Sequence, residues 1–122
     1  MGRKRKIFLV TNTVVYFLDG VQGFEVIGDY KTFYYSFITE IELLSFEDEE
    51  KRRGILSFLK KGKRINIDNN IISKTIEIRK SHRLKIPDAI IVASAKMINA
   101  DLYTSDDEII RKIDFIIIRN LL

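Results

Sequence analysis

Residues 86–95 read Ile-Pro-Asp-Ala-Ile-Ile-Val-Ala-Ser-Ala. Pro87 marks a helix start, because its missing N–H would have no intrahelical partner at that position. From Ala89 to Met97 the predicted helix is apolar on most sides, so it should be the most buried helix of the chain. Asp88 is the exception, a carboxylate in the first turn of an otherwise apolar element. Downstream, Asp101 to Thr104 reads as a strand, Ser105 to Ile113 as a helix and Phe115 to Ile118 as a last strand. Upstream, Asp68 or Asn69 caps a helix whose apolar face is assigned to Ile71, Ile72, Ile76 and Thr75. Arg64 to Ile67 precedes it as a short strand.

The first half repeats the alternation. Ile7-Phe8-Leu9-Val10 is a short apolar run, read as a fully buried strand. Thr13 to Leu18 continues as a helix and Val21 to Gly28 as a second, short one. Thr32 to Ser36 is aromatic-rich and reads as a strand, and Phe37 to Phe46 as a helix. Glu47, Asp48 and Glu49 each stand four residues before Lys51, Arg52 and Arg53, the favourable order for pairs on an exposed helix. That helix runs on to Lys61-Gly62, read as its C-cap. Short apolar strands separated by helices imply an α/β fold, a five-stranded parallel sheet in a three-layer α/β/α sandwich. Residues 1–122 are expected to form a single domain, with a basic tail at 1–6.

Composition closes off several function classes. The chain has 122 residues, no Cys and one His, which excludes thiol chemistry and a multi-histidine zinc site. A membrane-spanning helix needs about 20 apolar residues, and the longest apolar runs here, Val14 to Leu18 and Ala89 to Ala93, are far shorter. With no signal peptide read, a cytoplasmic protein is expected. A formal net charge of +4 permits a polyanionic partner.

Three acid positions fall at one architectural location. Glu42 is assigned to the first turn of the helix after the second strand, Asp88 to the first turn of the buried helix, and Asp106 to the position just after the fourth strand. In an open α/β sheet these places gather at the carboxyl edge, where ligands bind. Carboxylates converging there would repel unless a cation sat among them, and hard oxygen donors suit Mg²⁺ or Mn²⁺. Each acid also has an ordinary structural role. Thr39-x-x-Glu42 and Ser105-x-x-Glu108 fit capping boxes, and Asp88 complements a helix dipole. Arg79, Lys80, His82, Arg83 and Lys85 form a basic cluster that could grip RNA phosphates or cap a helix end.

Four stretches together resemble the PIN-domain proteins of the VapC toxin type. They are Ile7 to Thr13, Ile38-Thr39-Glu40-Ile41-Glu42-Leu43-Leu44, Leu84 to Ala95, and Leu102-Tyr103-Thr104-Ser105-Asp106. The resemblance implies a Mg²⁺-dependent endoribonuclease, commonly a homodimer, held inactive by a cognate antitoxin. It also implies Glu42, Asp88 and Asp106 as metal ligands, with Asn12 and Thr104 assisting by hydrogen bonds. One position departs. The family pattern opens with Asp-Thr-Asn, whose Asp is a central metal ligand; here Val10-Thr11-Asn12 stands instead. Weak metal binding and weak or absent cleavage are therefore expected. The alternative is a silenced scaffold that only binds an antitoxin, itself or RNA.

Overall fold

A computed structural model describes residues 5–122. Five strands form one all-parallel sheet: β1 (Ile7–Leu9), β2 (Tyr34–Ser36), β3 (Lys63–Ile65), β4 (Asp101–Tyr103) and β5 (Ile118–Arg119), in the order β3-β2-β1-β4-β5. Six helices connect them: α1 (Thr11–Leu18), α2 (Phe37–Leu44), α3 (Glu49–Leu59), α4 (Asn69–His82), α5 (Ile86–Met97) and α6 (Asp107–Lys112). The strands are only two or three residues long, so alternate side chains sort at once to opposite faces. Phe8 and Leu102 enter a core shared with Ile71, Ile78 and the buried side of α5. Ile7, Leu9, Tyr35 and Tyr103 enter a second core with Val14, Leu43, Ile55 and Leu59 from α1 to α3. These two cores make the predicted three-layer sandwich.

Helix α5 is the most buried helix, as its composition requires: every residue from Ala89 to Ala95 is buried. Its one buried hydroxyl is satisfied, because Ser94 Oγ donates to the Ile90 carbonyl at 2.7 Å. The apolar face of α4 differs from expectation. Ile71, Thr75 and Ile78 are buried, while Ile72 and Ile76 are exposed. The spacing of 4 and 3 keeps Ile71, Thr75 and Ile78 on one stripe, which turns Ile72 and Ile76 outward. Thr75 tolerates the core because its hydroxyl donates to the Ile71 carbonyl at 2.7 Å.

Other boundaries shift for identifiable reasons. The segment expected as a helix over Val21 to Gly28 is a 3-10 turn at Phe24–Asp29, entered through Gly23 at φ 96°. The last strand sits later than Phe115 to Ile118, because β4 fixes its register: Leu102 N–H donates to the Ile117 carbonyl and Thr104 N–H to the Arg119 carbonyl. Asp48 is the N-cap of α3, accepting from Lys51 N–H at 3.1 Å, so Glu47 lies outside the helix and its pair with Lys51 does not form on it. Gly62 is not a left-handed cap. A Cβ there would lie 2.4 Å from Cε2 of Phe33, so the residue is glycine because the buried Phe33 ring occupies the space.

The basic tail expected at 1–6 lies outside the described residues for 1–4. Its remainder is not a free tail. Arg5 Nε meets the buried Asp101 carboxylate at 2.5 Å, and the Lys6 carbonyl accepts from Asp101 N–H at 2.9 Å. No helix among the described residues is long and apolar enough to cross a membrane.

Candidate metal and nucleic-acid cleft

Strand order places the site. From β1 the chain steps outward through β2 to β3, then crosses back to β4 and β5 on the other side of β1. Helix α1 leaves the end of β1 toward one face and α6 leaves the end of β4 toward the other. The crevice between them, at the carboxyl ends of two adjacent strands, is the switch point where open α/β sheets bind ligands. A cleft of about 190 Å³ opens there. Val10, Thr11 and Asn12 line it from β1 and α1, Glu42 from α2, Pro87, Asp88 and Ile91 from α5, and Thr104, Asp106 and Ile109 from β4 and α6.

All five side chains expected to act, Asn12, Glu42, Asp88, Thr104 and Asp106, thus border one cleft together with the departed position, Val10. Glu42 reaches it from an unexpected place. Helix α2 begins at Phe37 with Ser36 as its cap, whose hydroxyl accepts from Ile38 N–H at 3.0 Å. Glu42 is therefore in the last turn of α2, not the first, and Thr39 is a fully buried helical residue, not a cap. Likewise Asp106, not Ser105, caps α6, its carboxylate accepting from Ile109 N–H at 3.0 Å.

The electrostatics of the cleft are those of crowded acids. Burial pushes the Asp88 carboxyl above its ordinary value. The charge of Asp106 raises it further, Lys85 opposes, and Glu108 and Glu42 add to the rise. Glu108 was legible only as a capping partner. It contributes to the same negative field while pairing with Lys112 at 3.6 Å. Thr11 Oγ1 donates to Glu42 Oε1, and Thr104 Oγ1 accepts from Asp106 N–H at 3.1 Å. These two hydroxyls hold the carboxylate-bearing segments in place. Val10 is 8% exposed and belongs to the core shared by α4 and α5, so the first position of the cleft offers a methyl surface where an acid was expected.

The basic cluster divides. Arg79 Nε donates to the Leu84 carbonyl at 3.1 Å, and Arg83 terminates α4 in a left-handed conformation, φ 56°. Neither lines the cleft, whereas Lys85 precedes α5 and its charge is felt at Asp88. His82 stacks obliquely on Phe115 with ring centroids 5.2 Å apart, a packing role.

The donor set suits a hard divalent ion in kind: carboxylate, amide and hydroxyl oxygens, with the half-buried Asp88 raised first by burial and then by its like-charged neighbours. It is incomplete in number. Among the described residues, no three His, Cys, Asp or Glu side chains stand close enough to hold an ion between them alone.

The fold and this cleft define a class, and sequence comparison agrees: residues 7–116 match the family model described as PIN domain. The chain belongs to the PIN-domain family. No curated protein sequence matches it significantly. Among solved structures its fold is similar to DNA-bound VapBC from Salmonella typhimurium (18% identity, 98% of this chain and 100% of that one, TM-score 0.80). It is also similar to VapBC2 from Rickettsia felis bound to a promoter DNA fragment (22%, 93% and 97%, TM-score 0.77). A toxin-antitoxin complex from Klebsiella pneumoniae is a third such structure (22%, 85% and 90%, TM-score 0.77).

Proposed function

We propose that this chain is the toxin of a type II toxin–antitoxin pair, a cytoplasmic endoribonuclease of the VapC type that uses Mg²⁺ or Mn²⁺, with activity impaired by Val10. The observation that carries this reading is the gathering of Glu42, Asp88 and Asp106 with Asn12 and Thr104 around one cleft at the switch point. Glu42, Asp88 and Asp106 would hold the ion, partly through water. When bound, such an ion lowers the pKa of water and offsets charge on a phosphodiester. The protein's own contribution is positional. Thr11 orients Glu42, Thr104 fixes the start of the Asp106 turn, and Asn12 offers an amide to a phosphate oxygen. Lys85 supplies a cation beside the acids, and Arg79 and Arg83 stand behind it as candidates for RNA contacts, less favoured now that both serve the α4 terminus. An antitoxin and a second copy of the chain are the expected protein partners. The VapBC structures with similar folds, which hold toxin and antitoxin together, favour the first.

RNA cleavage in Mg²⁺ by the chain and by Val10→Asp tests this. Cleavage that rises in Val10→Asp and vanishes in Val10→Asp/Asp88→Asn supports it. No cleavage of any RNA by Val10→Asp removes its main support.

A second reading has its own observation: Val10 is packed into the core and Glu42 already has a hydroxyl partner in Thr11. In that reading the chain is a silenced module that binds an antitoxin, itself or RNA. Calorimetric titration with Mg²⁺ separates the two. Binding that disappears in Asp88→Asn contradicts silencing.

A further inference from the structure

The amino edge of the sheet, opposite the acidic cleft, carries a basic and aromatic surface. A cavity of about 440 Å³ there is lined by Arg5, Lys6, Tyr30, Lys31, Thr32 and Tyr34. Tyr34 is half-buried against the core, so its ring is a fixed platform. The ammonium groups of Lys6 and Lys63 each lie 5.9 Å from its ring centroid, within the range of cation–π attraction. The ring thus holds together two cations that would otherwise repel. Lys31 adds a third on the same rim, exposed to solvent.

The surrounding charges leave this surface positive. Arg5 is largely committed to Asp101, which is buried and also faces Arg119 at 3.7 Å. Lys6 reaches the Ile98 carbonyl at a weak 3.4 Å, which does not change its charge. Asp114 lines an adjoining cavity, where Arg5 and Lys96 offset its charge.

We infer that this amino-edge surface binds the backbone of single-stranded RNA, with phosphates drawing Lys6, Lys31 and Lys63 outward and a base taking their place on the Tyr34 ring. Spaced cations beside aromatic faces are the recognition chemistry of single strands, whose bases are free to splay onto a ring. A duplex cannot offer its base faces to this cavity. The choice of RNA over DNA rests on the proposed function. The surface itself does not, since it shares no residue with the cleft.

The test is binding without cleavage. Fluorescence anisotropy of a labelled 12-nucleotide oligouridine is measured in EDTA across a salt series, for the chain, for Lys6→Gln/Lys31→Gln/Lys63→Gln, and for a control, Arg53→Gln on α3. Each phosphate contact contributes about 0.7 to the slope of log K against log salt for single strands. The triple variant should lose about two from that slope and at least about tenfold in affinity, with Arg53→Gln unchanged. Unaltered thermal melting shows that the triple variant is folded, and Lys31→Gln alone, at a fully solvated position, should lose about 0.7. The inference is overturned if the triple variant keeps its slope and affinity, if the chain binds no oligouridine at low salt, or if duplex binds as well. Because no metal is present, failure here is separate from failure of Val10→Asp to cleave.

Discussion

The two edges of the same small sheet differ in charge and in how they are built. At the carboxyl edge Glu42, Asp88, Asp106 and Glu108 contribute to one field. At the amino edge Lys6, Lys31 and Lys63 surround Tyr34. The carboxyl edge is where α1 and α6 begin directly after strands and where α5 also presents its N-terminus. Helix N-termini tolerate acids, and three of the four acids lie in a first turn or at a cap. The amino edge is where helices and turns return to the sheet, and there cations meet helix C-termini and strand starts. The lesson is that strand polarity distributes charge along the sheet axis and lets neighbouring residues serve opposite chemistries.

The largest expected effect comes from completing the acidic edge. Val10→Asp should raise Mg²⁺-dependent cleavage by about 10–100-fold or more, the scale of a lost ligand partner. It should also lower the thermal midpoint without metal, because a new charge joins the Asp88 field at a nearly buried position. Added Mg²⁺ should restore part of that loss through binding to the folded state. An equal midpoint with and without metal would separate the cleft from any ion.

Next comes the anchor of the amino edge. Among the described residues, Arg5→Ala leaves the buried Asp101 with only the more distant Arg119, and should cost on the order of 1–3 kcal/mol in urea unfolding. No change would return residues 5 and 6 to the role of a free tail. Gly62→Ala tests the packing behind the lysine rim. Its Cβ would collide with the Phe33 ring, which is stacked on Phe58 at 4.4 Å, and overpacking of this kind costs about 1–3 kcal/mol. Chemical denaturation reads it directly.

The smallest effect concerns Asp88. Its carboxyl is raised in the folded chain, chiefly by burial, so folding takes up protons between the unfolded value and the raised one. Stability therefore falls as pH rises through that window, and the cost is complete above it. Asp88→Asn should be more stable than the chain at pH 7 without metal, with the difference fading as pH falls below the ordinary aspartate value. Thermal melts at several pH values check the sign.

Much of this edge contrast is legible in the sequence because it follows from element order. Residues 86–95 fix a buried helix with an acid at its start, and Thr104 to Asp106 follow a strand. The capping-box spacing assigns Glu42 to a first turn, whereas it borders the cleft from the last turn of α2. Thr39-x-x-Glu42 has the spacing of a cap, yet Ser36 caps the helix three residues earlier, so the acid falls in its last turn. The outward turn of Ile72 and Ile76 was hidden because a threonine, Thr75, holds the buried position that periodicity alone assigns to isoleucine. The roles of Arg5, Glu108 and Lys63 were not legible, since each depends on a partner far away in sequence: Asp101, Asp88 and Tyr34.

The central claim is that the carboxyl-edge acids form one seat for a divalent ion. Crystals of the chain soaked in millimolar Mn²⁺ and measured at the manganese absorption edge test it most directly. An anomalous peak is expected in the cleft bounded by Glu42, Asp88 and Asp106, absent in Asp88→Asn. A map with no peak there, or with manganese only elsewhere on the surface, would contradict it.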